Sequence, residues 1–196
     1  MSRFFGFFFT LYLIGSIPSA YFAAKILKGK DIRRHGSGNV GATNAFRLLG
    51  KSAGVAVFTL DFLKGFLPVL ICFRLKIETT APDTWIWLAA APVLGHVFTP
   101  FLGFKGGKGI ATGAGVLLGL QPMLFVCAAG LWLVCFTFTR IVSFSSLVCL
   151  TPLPLLSYVL GYPATYLKLL IFLILLLTWT HRENIRRILS GTETKF

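Results

Sequence analysis

Apolar runs recur along this chain from one end to the other, several of them close to the ~20 residues that cross a hydrocarbon core of ~30 Å. Seven segments read this way: 4–24, 53–73, 85–104, 109–120, 123–139, 144–160 and 164–180. A cleaved signal does not explain the first, because the same pattern repeats along the rest of the sequence. Composition agrees, with 56% hydrophobic and 13% charged residues and a mean hydropathy of +0.80, outside the soluble norm. The expectation is an all-α integral membrane protein of about seven transmembrane helices, with residues 1–196 forming one polytopic domain. Segment 109–120 is short enough to be tilted, re-entrant or partly buried in protein.

A net charge of +13 raises the question of nucleic acid. No basic patch interleaved with exposed aromatics on a soluble domain is evident, so no nucleic-acid partner is expected. In a membrane protein Lys and Arg report orientation instead. Seven spans place 25–52, 105–108, Arg140 and the tail from 181 on one side. These carry Lys25, Lys28, Lys30, Arg33, Arg34, Arg47, Lys51, Lys105, Lys108, Arg140, Arg182, Arg186, Arg187 and Lys195, fourteen cations. The other side has four: Arg3, Arg74, Lys76 and the nearby Lys168. The imbalance puts the N-terminus outside and the C-terminus in the cytoplasm. The polar stretches "GSGNVGATN", "FKGGKG", the serines after Arg140 and "HREN" then all face the cytoplasm, while the outer turns "QP" and "GYP" carry nothing reactive. Chemistry confined to one face favours an enzyme over a conduit, since transporters more often bind near the midplane between repeats.

"GSGNVGATN" (36–44) satisfies G-x-G-x-x-G through Gly36, Gly38 and Gly41. That match counts only after a strand and within a βαβ unit, and a basic run precedes it instead. Its density of small hydrogen-bonding side chains, namely Ser37, Asn39, Thr43 and Asn44, suits an oxyanion. Arg47, one helical turn beyond Thr43, offers a planar fork for phosphate. The plainer reading is a flexible glycine loop. "FKGGKG" sets Gly106 and Gly107 between Lys105 and Lys108 where a helix is expected to begin, so backbone N–H groups can converge on an anion beside two cations. It is not a Walker A motif. The plainer reading is a tight turn with snorkelling lysines.

His181 and Asn184 stand three apart, hence on one face of a continuing helix, where the histidine answers a helix C-terminus or takes part in function. His96, inside an apolar segment, needs a partner and is expected to be structural; His35, beside two arginines, is expected to be solvated. Asp61 and Lys64 at i, i+3 are expected to form an ion pair facing the bundle. Ser143, Ser145 and Ser146 could cap the sixth span; none has the G-x-S-x-G context of a hydrolase nucleophile. The four cysteines lack C-x-x-C spacing and read as small core residues. No metal cluster or paired carboxylates are visible on the cytoplasmic face. These features suit a substrate with a lipid tail and a phosphate head, without fixing a reaction.

"GSGNVGATN…R", "GHVFTPFLGFKGGKGIAT" and "HRENIRR", in this order over nearly the whole chain, resemble the bacterial membrane-bound acyl-phosphate:glycerol-3-phosphate acyltransferase family. The resemblance implies transfer of a fatty acyl group from acyl phosphate to the 1-hydroxyl of glycerol 3-phosphate, giving lysophosphatidic acid, the first step of phospholipid synthesis, at the cytoplasmic face of the bacterial plasma (inner) membrane. It implies no cofactor and no covalent intermediate. The partners are the two substrates, the bilayer and a soluble enzyme that makes acyl phosphate. By the same likeness Ser37 and the glycines of 36–41 cradle a phosphate, and Thr43 and Asn44 shape the loop. Arg47, Lys108, Ser146, His181 and Asn184 hold glycerol 3-phosphate, while Gly106 and Gly107 line the anion site. Lys108, His181 and Asn184 are the catalytic candidates. Gly36, Gly38, Asn39, Gly41, Lys105 and Ser143 join the substrate-binding set. "SIPSAYFAAK" (16–25) lacks an acidic residue that some relatives carry. The rivals are a transporter or scramblase of a phosphorylated lipid or metabolite, and a structural subunit of a lipid-synthesis assembly; product formation by the purified protein separates them from the enzyme.

Overall fold

The computed structural model describes residues 2–74 and 85–196; Lys76 of the charge count lies outside them. The described residues are helical with no strand, as a lipid environment demands of backbone that must satisfy its own N–H and C=O groups. They form two compact units, residues 1–120 and 121–196.

In the first unit, α1 (Ser2–Ser16) and α2 (Ser19–Lys28) make one apolar stretch broken at Ile17–Pro18. Pro18 has no N–H and its ring disfavours a helical residue before it, so the break falls there. A short 3₁₀ turn, Ile32–Arg34, and α3 (Ala42–Leu49) precede the long α4 (Lys51–Arg74). Next come α5 (Trp85–Val97), a second 3₁₀ turn (Pro100–Leu102) and α6 (Ile110–Leu120). Helices α4 and α6 pack together, as do α1 and α5, and both pairs approach through glycine. A Cβ on Gly65 would strike the Thr112 carbonyl and one on Gly115 the Phe62 carbonyl. Gly15 and Gly95 stand in the same relation to Pro92 and Tyr12. Close backbone contact through small residues is how helices associate where lipid tails are as apolar as leucine. Ala20, Ala24, Ile32, Val40, Ala45, Val57 and Leu102 form a buried cluster that anchors the polar segment between α2 and α4.

The second unit contains α7 (Pro122–Thr139), α8 (Val142–Leu150), α9 (Leu153–Val159), α10 (Ala164–Thr180) and α11 (Arg182–Leu189). Large apolar side chains face outward, among them Phe138 at 85% and Leu175 at 67% exposed, a surface that requires lipid.

Among the described residues, four helical stretches are long and apolar enough to cross a membrane: Arg3–Lys28, Lys51–Arg74, Pro122–Thr139 and Val142–Val159. The α10–α11 pair, bent by 63°, makes a fifth if it counts as one span. At ~1.5 Å per residue, α4 is about 36 Å long and α6 only about 16 Å. The expected segments 85–104 and 109–120 are therefore present as shorter apolar helices, Ile86–Leu102 and Ile110–Leu120.

Segment 144–160 largely coincides with the candidate span Val142–Val159, which is divided into α8 and α9 at Thr151–Pro152, again at a proline. One expectation about the helices needs correction. His181 and Asn184 do not share an unbroken helix: α10 ends at Thr180 and α11 begins at Arg182, with His181 at φ −95°, ψ 6° between them. The Asp61–Lys64 pair forms as expected, with Nζ 2.7 Å from Oδ1.

Candidate active site

The segment 36–44 is held from inside by one side chain. Asn44 is 1% exposed. Its Nδ2 donates to the carbonyls of Ile32 (3.3 Å), His35 (3.0 Å) and Asn39 (3.0 Å), and its Oδ1 accepts from Ser37 N (3.1 Å). Gly36 and Gly38 turn the chain at φ +60° and +70°, backbone that glycine adopts without a Cβ penalty; a Cβ on Gly36 would also strike Asn44 Oδ1. Asn44 thus organises the loop as its internal staple. The expectation that its amide also faces an oxyanion is corrected, because both polar atoms are committed to backbone.

Upstream, Asp31 caps the 3₁₀ turn by accepting from Arg33 N (3.0 Å), and the Arg33 guanidinium grips the carboxylate at 2.7 and 3.0 Å. Hydrogen bonds from Arg33 hold the Asp31 pKa down to about 2. The His35 ring is not simply solvated, since its Nδ1 donates to Asp31 O at 2.9 Å. Ser37 is exposed, Asn39 and Thr43 are half-buried and Arg47 is exposed. Helix α3 begins at Ala42, after Gly41, which places Thr43 and Arg47 one turn apart on one face.

The Lys105–Lys108 turn folds back along the end of α5. Gly106 N donates to Val97 O (3.0 Å) and Gly107 N to His96 O (3.1 Å). A Cβ on Gly106 would collide with His96 O, and one on Gly107 with His96 Nε2. These two glycines therefore serve close packing, and their amides do not converge on an empty centre as the sequence reading had it. Lys105 is exposed and Lys108 half-buried. Gly109, at φ +86°, redirects the chain into α6. Val40 joins the two loops: a Cβ on Gly107 would lie 3.0 Å from the Val40 carbonyl, and Val40, Gly106 and Gly107 border one small cavity.

In the second unit Ser143, Asn184 and Arg187 converge on Glu193, a carboxylate expected on the cytoplasmic side, to which the sequence assigns no role. Ser143 Oγ donates to Oε1 at 2.8 Å, Asn184 Nδ2 to Oε1 at 2.6 Å and Arg187 Nε to Oε2 at 2.7 Å. Burial alone would raise the Glu193 carboxyl, but these donors outweigh it and hold its pKa below the ordinary value. The tail returns because Gly191 turns at φ +69° and Glu193 N donates to Arg187 O (3.1 Å). Gly191 after a basic helix end was the available signal.

The serines do not cap α8, whose N-cap is Ile141. Ser145 and Ser146 donate back to the carbonyls of Ile141 and Val142, and Ser146 Oγ accepts from Trp132 Nε1 at 3.1 Å. His181 is 2% exposed, and its Nδ1 lies 2.7 Å from Leu177 O. A carbonyl only accepts, so Nδ1 carries the proton and, in the neutral ring, Nε2 holds the lone pair.

Two helical units with lipid-facing exteriors and glycine-built polar loops between helices define a multi-pass integral membrane protein. The glycerol-3-phosphate acyltransferase family profile matches residues 5–191. The glycerol-3-phosphate acyltransferase of Aquifex aeolicus is 45% identical over 187 residues, covering 94% of this chain and 95% of that one. That of Halalkalibacterium halodurans is 45% identical over 190 residues, covering 94% and 91%. The crystal structure of PlsY (YgiH), an integral membrane glycerol 3-phosphate acyltransferase, in its glycerol 3-phosphate form superposes at TM-score 0.89 with 41% identity, covering 99% of this chain and 96% of that one. Its lysophosphatidic acid form superposes at TM-score 0.87. This chain belongs to the glycerol-3-phosphate acyltransferase family.

Proposed function

We propose that this protein transfers a fatty acyl group from acyl phosphate to the 1-hydroxyl of glycerol 3-phosphate, releasing lysophosphatidic acid and inorganic phosphate at the cytoplasmic face of the bacterial plasma membrane. The observation that carries the reading is the 41% identity and TM-score of 0.89 to PlsY, an acyltransferase solved with glycerol 3-phosphate and in a lysophosphatidic acid form. The family match over 5–191 supports treating residues 1–196 as one acyltransferase domain, while the apolar segments and the fourteen-to-four distribution of cations support about seven membrane segments with the N-terminus outside.

Acyl phosphate is a mixed anhydride and needs no covalent activation by the enzyme. The 1-hydroxyl oxygen attacks the acyl carbonyl carbon, the carbonyl–phosphate bond breaks, and phosphate leaves with the electron pair. The hydroxyl proton goes either to the departing phosphate or to a base. Holding two phosphates and stabilising developing negative charge supply most of the rate in such a scheme. From the first unit, Gly36, Ser37, Gly38, Asn39 and Gly41 are assigned to the phosphate cradle, whose shape Thr43 and Asn44 set. Arg47, Lys105 and Lys108 supply cations, with Gly106 and Gly107 placing the lysines. From the second, His181, Asn184, Ser143 and Ser146 are assigned to glycerol 3-phosphate, with Asn184 and Ser143 oriented by Glu193. The His181 tautomer, with Nδ1 committed to Leu177 O, suits a ring that accepts at Nε2. A soluble enzyme that makes acyl phosphate is the expected supplier of the donor.

Purified protein in detergent, given palmitoyl phosphate and labelled glycerol 3-phosphate, tests the reading. Labelled lysophosphatidic acid is expected, and its loss in Lys108→Ala. No product from folded protein with either palmitoyl phosphate or palmitoyl-CoA overturns the enzyme reading and leaves transport of a phosphorylated lipid or metabolite as its replacement.

A further inference from the structure

Charges within apolar segments are expensive and rarely idle, yet the first unit gathers three ionisable side chains in its interior: Asp61, Lys64 and His96, at 1%, 8% and 7% exposed. Lys64 Nζ lies 2.7 Å from Asp61 Oδ1 and donates to the Ile17 carbonyl at 2.8 Å. His96 Nδ1 stands 3.7 Å from the same Asp61 oxygen. Stability alone is a weak reason for such a cluster, because replacing a buried ion pair by apolar residues of similar volume is often neutral or stabilising. What the cluster touches is more telling. Ile17 is the residue at which the first span breaks. His96 lies in the last turn of α5, its carbonyl receives Gly107 N, and its Nε2 fills the space a Gly107 Cβ would need. Lys64, His96, Val40, Gly106 and Gly107 border one cavity with room for about one water.

The geometry points to Asp61, Lys64 and His96 as positioning residues for acyl transfer. Lys64 and Asp61 set the His96 ring, and His96, through ring and carbonyl, sets the Gly106–Gly107 turn and with it Lys108. None of the three touches substrate; they act through the turn. The inference rests on the reading that the Lys105–Lys108 turn binds a substrate phosphate. It explains why the turn carries two glycines whose amides are already bonded: their missing Cβ atoms let the turn lie directly on His96.

The test uses the full chain with the paired variant Asp61→Asn/Lys64→Met, which leaves neither charge alone in the interior, and His96→Gln. Thermal melting in detergent is measured with KM and kcat for glycerol 3-phosphate. Melting near wild type is expected in the paired variant, with KM raised about tenfold or more, since an ångström-scale misplacement can cost up to ~10²-fold, and kcat within about threefold. His96→Gln is expected to shift KM in the same direction. Wild-type KM and kcat in the folded paired variant overturn the proposal. If that variant does not fold, His96→Gln decides, and wild-type kinetics there overturn it equally. Loss of folding in both assigns the cluster to stability alone and also overturns it. Lys108→Ala, run alongside, separates the premise from the inference. Wild-type kinetics in Lys108→Ala sink the phosphate reading, whereas a damaged Lys108→Ala beside a silent paired variant sinks only the positioning role.

Discussion

Asn44→Ala is the sharpest test of how the 36–44 loop is built. The substitution removes four hydrogen bonds from a side chain 1% exposed. Two of the carbonyls that lose a donor keep another: Ile32 O still accepts from His35 N, and His35 O from Gly38 N. Ser37 N and Asn39 O lose the bond that Asn44 makes to each. At about 1–3 kcal/mol for each orphaned buried group, the interior limit is roughly 2–6 kcal/mol. Ser37 is exposed and Asn39 half-buried, so water recovers part of this and about 2 kcal/mol of loop destabilisation is expected, close to thirtyfold in an equilibrium constant. The expected outcome is a rise in KM for glycerol 3-phosphate of about one order of magnitude or more, with faster amide hydrogen exchange confined to 36–44 and the melting of the helical units little changed. Asn44→Asp gives the sign. It can still accept from Ser37 N, but it sets a carboxylate against the carbonyls of Ile32, His35 and Asn39, so it should be worse than alanine. An aspartate variant milder than alanine, or an alanine variant within about twofold of wild-type KM, would refute the staple.

Other outcomes follow from the second unit. The Glu193 carboxyl has a folded-state pKa below its ordinary value, so its contribution to stability is present above the unfolded pKa of about 4.3 and is lost as pH falls through the depressed folded value. Glu193→Gln should lower the melting temperature at pH 7 and narrow its gap to wild type as pH drops below about 4; a constant gap across that range would contradict the three-donor account. His181→Gln separates the two fates of the hydroxyl proton. If phosphate takes it, the variant should keep most of kcat once glycerol 3-phosphate is saturating, with a pH–rate profile parallel to wild type. A loss of about 10²-fold or more in kcat, with the disappearance of an ionisation from the profile, makes the histidine the base.

Much of this architecture was legible because hydrophobic length and glycine spacing are local signals. The Asp61–Lys64 pair could be read from i, i+3 spacing alone, and Pro18 and Pro152 mark breaks that a hydropathy window averages away. The bend at His181 was less accessible: "TWTHREN" contains neither proline nor glycine, and the ring bonded back to Leu177 O is visible only once the helix has ended. Glu193 was invisible for a different reason. Its partners lie six, nine and fifty residues away, and only the turn at Gly191 brings the tail to them.

The two glycine stretches look alike in sequence and differ in physics. Gly36 and Gly38 are glycines because the backbone turns through positive φ, so a side chain there strains the chain whatever surrounds it. Gly106 and Gly107 show no positive φ; they are glycines because His96 lies against them. Read from sequence, both are backbone that glycine lets converge on an anion, with a flexible loop and a tight turn as the respective plainer readings. In the structure both are braced, the first by the Asn44 side chain and the second by direct contact with the end of α5. Such bracing suits the proposed reaction, whose acyl-phosphate donor is already activated. In that reaction the enzyme makes no bond to the acyl group, so catalysis would rest on holding a hydroxyl and a carbonyl carbon in register, and a loop that had to order itself at each turnover would lose that advantage to conformational entropy.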